Sequence, residues 1–131
     1  MTYPLDKLCV QVFKLDRRVR YAGVLDATGR LIAGGMRKGI TSLEPARENL
    51  RLMANLTMQI ATDKTWDRYF GGMWYTFVKR EKVNVLTFYL DGKNVMMIST
   101  ESVFDLDDVD LLRDTVMTMY SDGIVPVKAK R

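Results

Sequence analysis

Apolar residues recur along this chain in two periods, and the switches between them lay out the elements. From residue 4 to 18, Leu5, Leu8, Cys9, Val12 and Leu15 fall at three- and four-residue spacing, with Asp6, Lys7, Gln11 and Lys14 between them. That spacing predicts a helix with one apolar face. The pattern then becomes strand-like. Tyr21, Ala22, Val24 and Leu25 form one arm, Asp26-Ala27-Thr28-Gly29 a turn, and Leu31, Ile32 and Ala33 the return arm. Aspartate opens such turns by accepting backbone N–H bonds, and Gly29 supplies the positive φ that closes them. The helical period returns over Leu43–Thr62. Thr41 and Glu44 have capping-box spacing, which starts this helix near Ser42. Leu43, Ala46, Leu50, Met53, Ala54, Thr57, Ile60 and Ala61 form a stripe expected to cover a sheet, with Leu52 and Leu56 beside it and Met58 on the other flank. The apolar positions span more than half the circumference, whereas a helix lying on a sheet needs about 100°. The surplus reads either as a second partner for this helix or as overspill beneath flanking helices.

Beyond it, Met73–Lys79 and Val83–Leu90 are rich in aromatic and β-branched residues and turn at Arg80-Glu81-Lys82. Asp91-Gly92 signals a second hairpin turn into a fifth strand, Asn94–Thr100. A last helix begins near Asp105, buries Val109, Leu112, Val116, Met119 and Tyr120, and stops at Gly123. The order α-ββ-α-βββ-α makes an α+β domain over residues 1–123, followed by a short basic tail, 124–131, carrying Lys128, Lys130 and Arg131.

Composition narrows the chemistry. With 131 residues, 47% apolar and 27% charged, the chain can bury a core and is not a disordered tail. No apolar run reaches the roughly 18–20 residues needed to span a bilayer, so no membrane association is expected. No basic segment leads into an apolar one at the N-terminus, so no signal peptide is expected. One cysteine and no such signal fit the cytoplasm. The net charge of +4 is too small to argue for nucleic acid. The absence of histidine removes the Ser-His-Asp and Cys-His mechanisms and any His-ligated metal. There is no phosphate-binding or dinucleotide glycine motif, so neither catalytic residues nor a cofactor are expected. Asp105, Asp107, Asp108 and Asp110 lack the glycine and alternation of a calcium loop and suit the start of a helix instead.

Three features carry two readings each. Gly34–Ser42 is glycine-rich and basic, so Arg37, Lys38 and Gly39 form either an anion cradle or a plain connector. Trp66-Asp67-Arg68-Tyr69-Phe70 leaves the helical stripe, and Trp66, Tyr69 and Trp74 either roof a core or line a ligand pocket. Cys9, on the apolar stripe, is a small buried hydrophobe or a reactive thiol. The basic groups Lys14, Arg17, Arg18, Arg20 and Lys79, Arg80, Lys82 read as a solvated helix end and a solvated turn.

The hairpin Gly23-Val24-Leu25-Asp26-Ala27-Thr28-Gly29-Arg30-Leu31-Ile32-Ala33 and the Val83–Thr100 strand pair, with the long helix between them, resemble the roadblock/LC7 superfamily, itself related in shape to longin and profilin-like domains. The chain is also similar to a group of uncharacterised archaeal proteins that share the hairpin and a Gly-Gly-Met-Arg-Lys-Gly-Ile-type loop. The resemblance covers nearly the whole chain and involves no catalytic motif. It implies a five-stranded antiparallel sheet and dimerisation through the central helix and third strand. It also implies non-catalytic work, regulating small GTPases or scaffolding larger assemblies. The expectation is therefore a homodimeric interaction module meeting its partners through Leu52, Leu56, Met73, Tyr75 and Phe77. The alternative is a small-molecule sensor with a pocket between sheet and helices near Trp66, Tyr69 and Trp74. An accessory nucleic-acid binder is a minor third, marked by steep salt dependence.

Overall fold

A computed structural model describes residues 3–123; the basic tail expected over 124–131 lies outside the described residues. Along the chain come α1 (Leu5–Leu15), β1 (Val19–Leu25), β2 (Leu31–Met36), α2 (Ala46–Asp63), a 3-10 turn (Lys64–Trp66), the single turn α3 (Asp67–Phe70), β3 (Thr76–Lys79), β4 (Val83–Tyr89), β5 (Val95–Glu101) and α4 (Leu106–Asp122). The strands form one antiparallel sheet in the order β2-β1-β5-β4-β3. This is the α+β fold expected from the sequence.

The sheet has a helix layer on each face, because alternate strand residues point to opposite sides. On one side, Ala22, Val24, Leu86, Phe88, Met96 and Ile98 pack against α1 and α4. On the other, Tyr21, Leu25, Val95 and Met97 pack against Met53 and Ile60 of α2. The first hairpin is closed as its sequence predicts. The Asp26 carboxylate accepts from Thr28 N, Thr28 Oγ1 and Arg30 N, and Gly29 sits at φ +85°. These bonds, led by that of the Thr28 hydroxyl, hold the Asp26 pKa below its ordinary value.

Several expectations are corrected. The first helix stops at Leu15 rather than 18, because Asp16 turns extended and its carboxylate accepts from the Arg18 backbone and guanidinium. Arg18 is not a solvated helix end. It also donates to Asp108 and to the Val103 carbonyl and stacks 4.5 Å over Phe104, clasping the exit of α1 to the start of α4. The second helix starts at Ala46, not near Ser42: Pro45 sits at its N-cap, and a residue preceding proline is biased away from helix. Glu44 therefore caps nothing and accepts from the Asn49 side chain. Gly34, Gly35 and Met36, read as loop, are the end of β2. Gly34 has φ +82°, and a Cβ there would meet the Ala22 carbonyl and lie 2.8 Å from Cys9 Sγ. A larger residue would drive α1 off the sheet edge. The third strand begins at Thr76 rather than Met73.

Candidate functional site

The apolar arc of α2 is divided by the sheet. Met53, Thr57 and Ile60 are buried, and Leu52 and Leu56 are half-buried on the same cluster, beside Met73, Val85 and Tyr89. Leu50 is 70% exposed and Met58 66%, with Ala46, Ala54 and Ala61 also in water. The expected stripe is thus rotated. Leu52 and Leu56, taken as surplus, lie against the sheet, while much of the stripe meant to cover the sheet faces out. Thr57 and Thr62 return their hydroxyls to the carbonyls one turn back, so neither offers a free donor.

At the sheet edge beyond α2, β3 pairs only with β4, leaving its other side without a strand partner among the described residues. Val78 on it is exposed. Met73, Tyr75 and Phe77 do not share a face. Met73 precedes the strand, escapes its alternation and packs with the α2 cluster, whereas Tyr75 and Phe77 pack against the α1/α4 cluster. The Tyr75 hydroxyl donates to Asp110 of α4 at 2.8 Å, which pushes its own pKa up.

The aromatic segment roofs no core. Trp66, Tyr69, Phe70 and Trp74 are all exposed, Phe70 to 82%. Of the three residues expected to share a pocket, Trp66 and Tyr69 bring their rings within 6.3 Å, tilted by 46°, but only Trp66 lines the hollow beside them. Trp66 lines an open hollow of about 530 Å³ with Phe70, Met73, Asp63 and Asp67. Tyr69 lies beneath Arg68, and Trp74 beneath Arg113 of α4. Between α2 and the sheet there is room for about 80 Å³, beside Tyr21, Leu52, Val85 and Met97. That space suits a few waters, not a metabolite of ordinary size.

The basic loop has lost its central cation to the fold. Arg37 donates to the carbonyls of Val19, Phe13 and Asp16 and stacks on Phe13, closing the C-terminal end of α1. Only Lys38 and Gly39 of the expected cradle remain exposed. Cys9 is buried in the core, and burial, with Asp6 nearby, pushes its thiol up to about 11, so it is a protonated packing residue at neutral pH. Among the described residues no cluster of acidic or thiol side chains has metal-binding geometry, and no helix is long and apolar enough to cross a membrane.

Solved structures share this fold. MglB of Myxococcus xanthus superposes with a TM-score of 0.67 at 14% identity, over 86% of this chain and 81% of that one. A roadblock/LC7 domain from Streptomyces avermitilis does so at 0.65 and 11% identity, over 87% and 92%. Acanthamoeba castellanii profilin II follows at 0.54 and 15%, over 88% and 98%. At these identities the likeness establishes the roadblock/LC7 fold with its profilin-like relation; the archaeal likeness gains no support from them. A comparison with curated proteins finds no match. The model of a family of unknown function matches residues 5–116, and on that ground the chain belongs to the family DUF6659.

Proposed function

We propose that this protein is a non-catalytic interaction module that works as a homodimer in the cytoplasm and regulates or scaffolds a small GTPase or a larger assembly. One observation carries the reading: the outward half of α2 presents Leu50 and Met58 to water on a molecule whose β3 edge has no strand partner among the described residues. Apolar helix surface and an unpaired strand edge are what a symmetric partner covers. Leu52, Leu56 and Met73 support that surface from beneath, the Tyr75 hydroxyl ties the chain entering β3 to Asp110 of α4, and Phe77 packs on the α1/α4 cluster. One neighbour in fold is described as MglB with a tetrameric arrangement, which is consistent with assembly through such surfaces. The GTPase class rests on the superfamily resemblance.

Light scattering tests the dimer. Wild type is expected at twice the 15.1 kDa chain mass, and the Met58→Glu/Val78→Lys double variant at the monomer mass with unchanged circular dichroism. Both positions are exposed, so the variant separates association from folding better than a change at half-buried Leu56. A monomeric wild type overturns the dimer. Co-elution with small GTPases of the source organism, loaded with GDP or GTP, tests the partner class.

A further inference from the structure

The geometry points to the aromatic hollow at the end of α2 as a docking site for an arginine side chain of a partner protein. Asp63, Trp66, Asp67 and Phe70 are spaced three and four residues apart through one continuous helical stretch, which brings all four to the same face. The Trp66 and Phe70 rings stand 6.3 Å apart and within 24° of parallel. Asp63 and Asp67 line the same hollow. Gly71 and Gly72 leave its exit clear, since a Cβ at either would meet nothing within 4 Å.

Elsewhere the fold covers aromatic faces with its own cations. Arg18 lies over Phe104, Arg37 over Phe13, Lys64 over Tyr89, Arg68 over Tyr69 and Arg113 over Trp74, each within 5.8 Å of the ring centre. Among the described residues no cation lies over Trp66 or Phe70, and no ion pair engages Asp63 or Asp67. Two open rings and two unengaged carboxylates therefore converge on one space, on a chain whose net charge is +4. The complement to that space is cationic and flat. A guanidinium stacks on an aromatic ring while its fork donates to carboxylates; an ammonium meets the charge but not the plane. This site goes beyond dimerisation, because its occupant is a chemical group on another protein and its residues suffice in one copy.

Trp74→Phe leaves Trp66 as the only tryptophan and so as the reporter. Its fluorescence is titrated with the blocked dipeptide acetyl-Arg-Arg-amide and with the lysine and citrulline counterparts, up to roughly 20 mM, where weak single-site contacts register. The arginine peptide is expected to give a saturable change, the lysine peptide to bind at least about fivefold more weakly, and the neutral citrulline peptide not to bind. Asp63→Asn/Asp67→Asn is expected to weaken arginine binding by about tenfold or more. No saturable response, equal binding of citrulline, or indifference to the asparagine pair overturns the proposal. The same titration on Met58→Glu/Val78→Lys keeps the two readings apart: arginine binding should persist in the monomer, and its loss there would also overturn the site as proposed.

Discussion

On the α1/α4 side of the sheet, Leu8, Val12, Phe88, Ile98, Val116 and Met119 are all sealed from water, whereas of the apolar residues of α2 only Met53 and Ile60 are buried. The ends of the helices differ in the same sense. α4 begins with a reciprocal capping box between Asp105 and Asp108 and stops at Gly123 in the left-handed conformation. α2 starts at Ala46, with Pro45 at its N-cap and no side-chain cap. Two side-chain bonds between separate elements clasp the first layer: Arg18 reaches Asp108, and Tyr120 donates to Asp91. The first layer leaves Val10, Leu106 and Leu111 in water around a fully sealed centre, whereas on α2 the exposed apolar positions run the length of the helix, from Leu50 to Met58. The better sealed core therefore lies on the α1/α4 face of the sheet.

Substitutions should separate the two layers by size of effect. Phe88→Ala, in the sealed layer, is expected to cost about 4 kcal/mol in denaturant unfolding, and Met53→Ala about 2 kcal/mol, because the α2 side can relax towards solvent. Equal losses would erase the distinction. Gly34→Ala should cost on the order of 3 kcal/mol, through the strained φ and the crowding against Cys9 and the Ala22 carbonyl. Asp105→Ala removes the α4 cap at a cost of about 1 kcal/mol. In native-state hydrogen exchange, α2 amides should exchange before those of α4, and the gap should narrow as protein concentration rises if a second copy covers α2.

A separate effect comes with pH. Burial raises the Cys9 thiol from the ordinary 9.0 to about 11 and the Tyr21 phenol from 10.0 to about 12. Folding therefore favours the protonated forms. Their contribution is complete below about pH 9 and is lost as pH rises through 11 and 12, because the unfolded chain releases those protons first. Denaturant midpoints between pH 8 and 11 should fall, and Cys9→Ala should flatten the earlier part of that fall.

Local chemistry was readable in the sequence. Asp26 and Gly29 set their turn with neighbours fewer than five residues away, as Asp105 and Gly123 bound their helix. What escaped depends on distant parts of the chain. Arg18 and Arg37 look like surface cations until carbonyls and carboxylates from other elements surround them. The rotation of α2 was hidden because leucines occur on several sides of it, so only the sheet decides that Leu52 turns in and Leu50 out. Pro45 was the overlooked stop signal before that helix. The hollow was half legible. The aromatic cluster at Trp66 is visible in the sequence, but its alignment with Asp63, Asp67 and Phe70 depends on the helix continuing through Asp63 and Lys64 to Phe70.

Sheet order also bears on how the chain is made. β5, the last strand synthesised, lies between β1 and β4, so the two earlier hairpins share no hydrogen-bonded edge until it arrives. A chain that ends before Val95 lacks the strand that joins the β1–β2 pair to the β3–β4 pair. Closing that gap joins residues far apart in sequence, Val19 with Thr100 among them. Contacts of such long separation close slowly, and a chain cut before Val95 is expected to hold no stable domain, since a lone two-stranded hairpin is marginal in water.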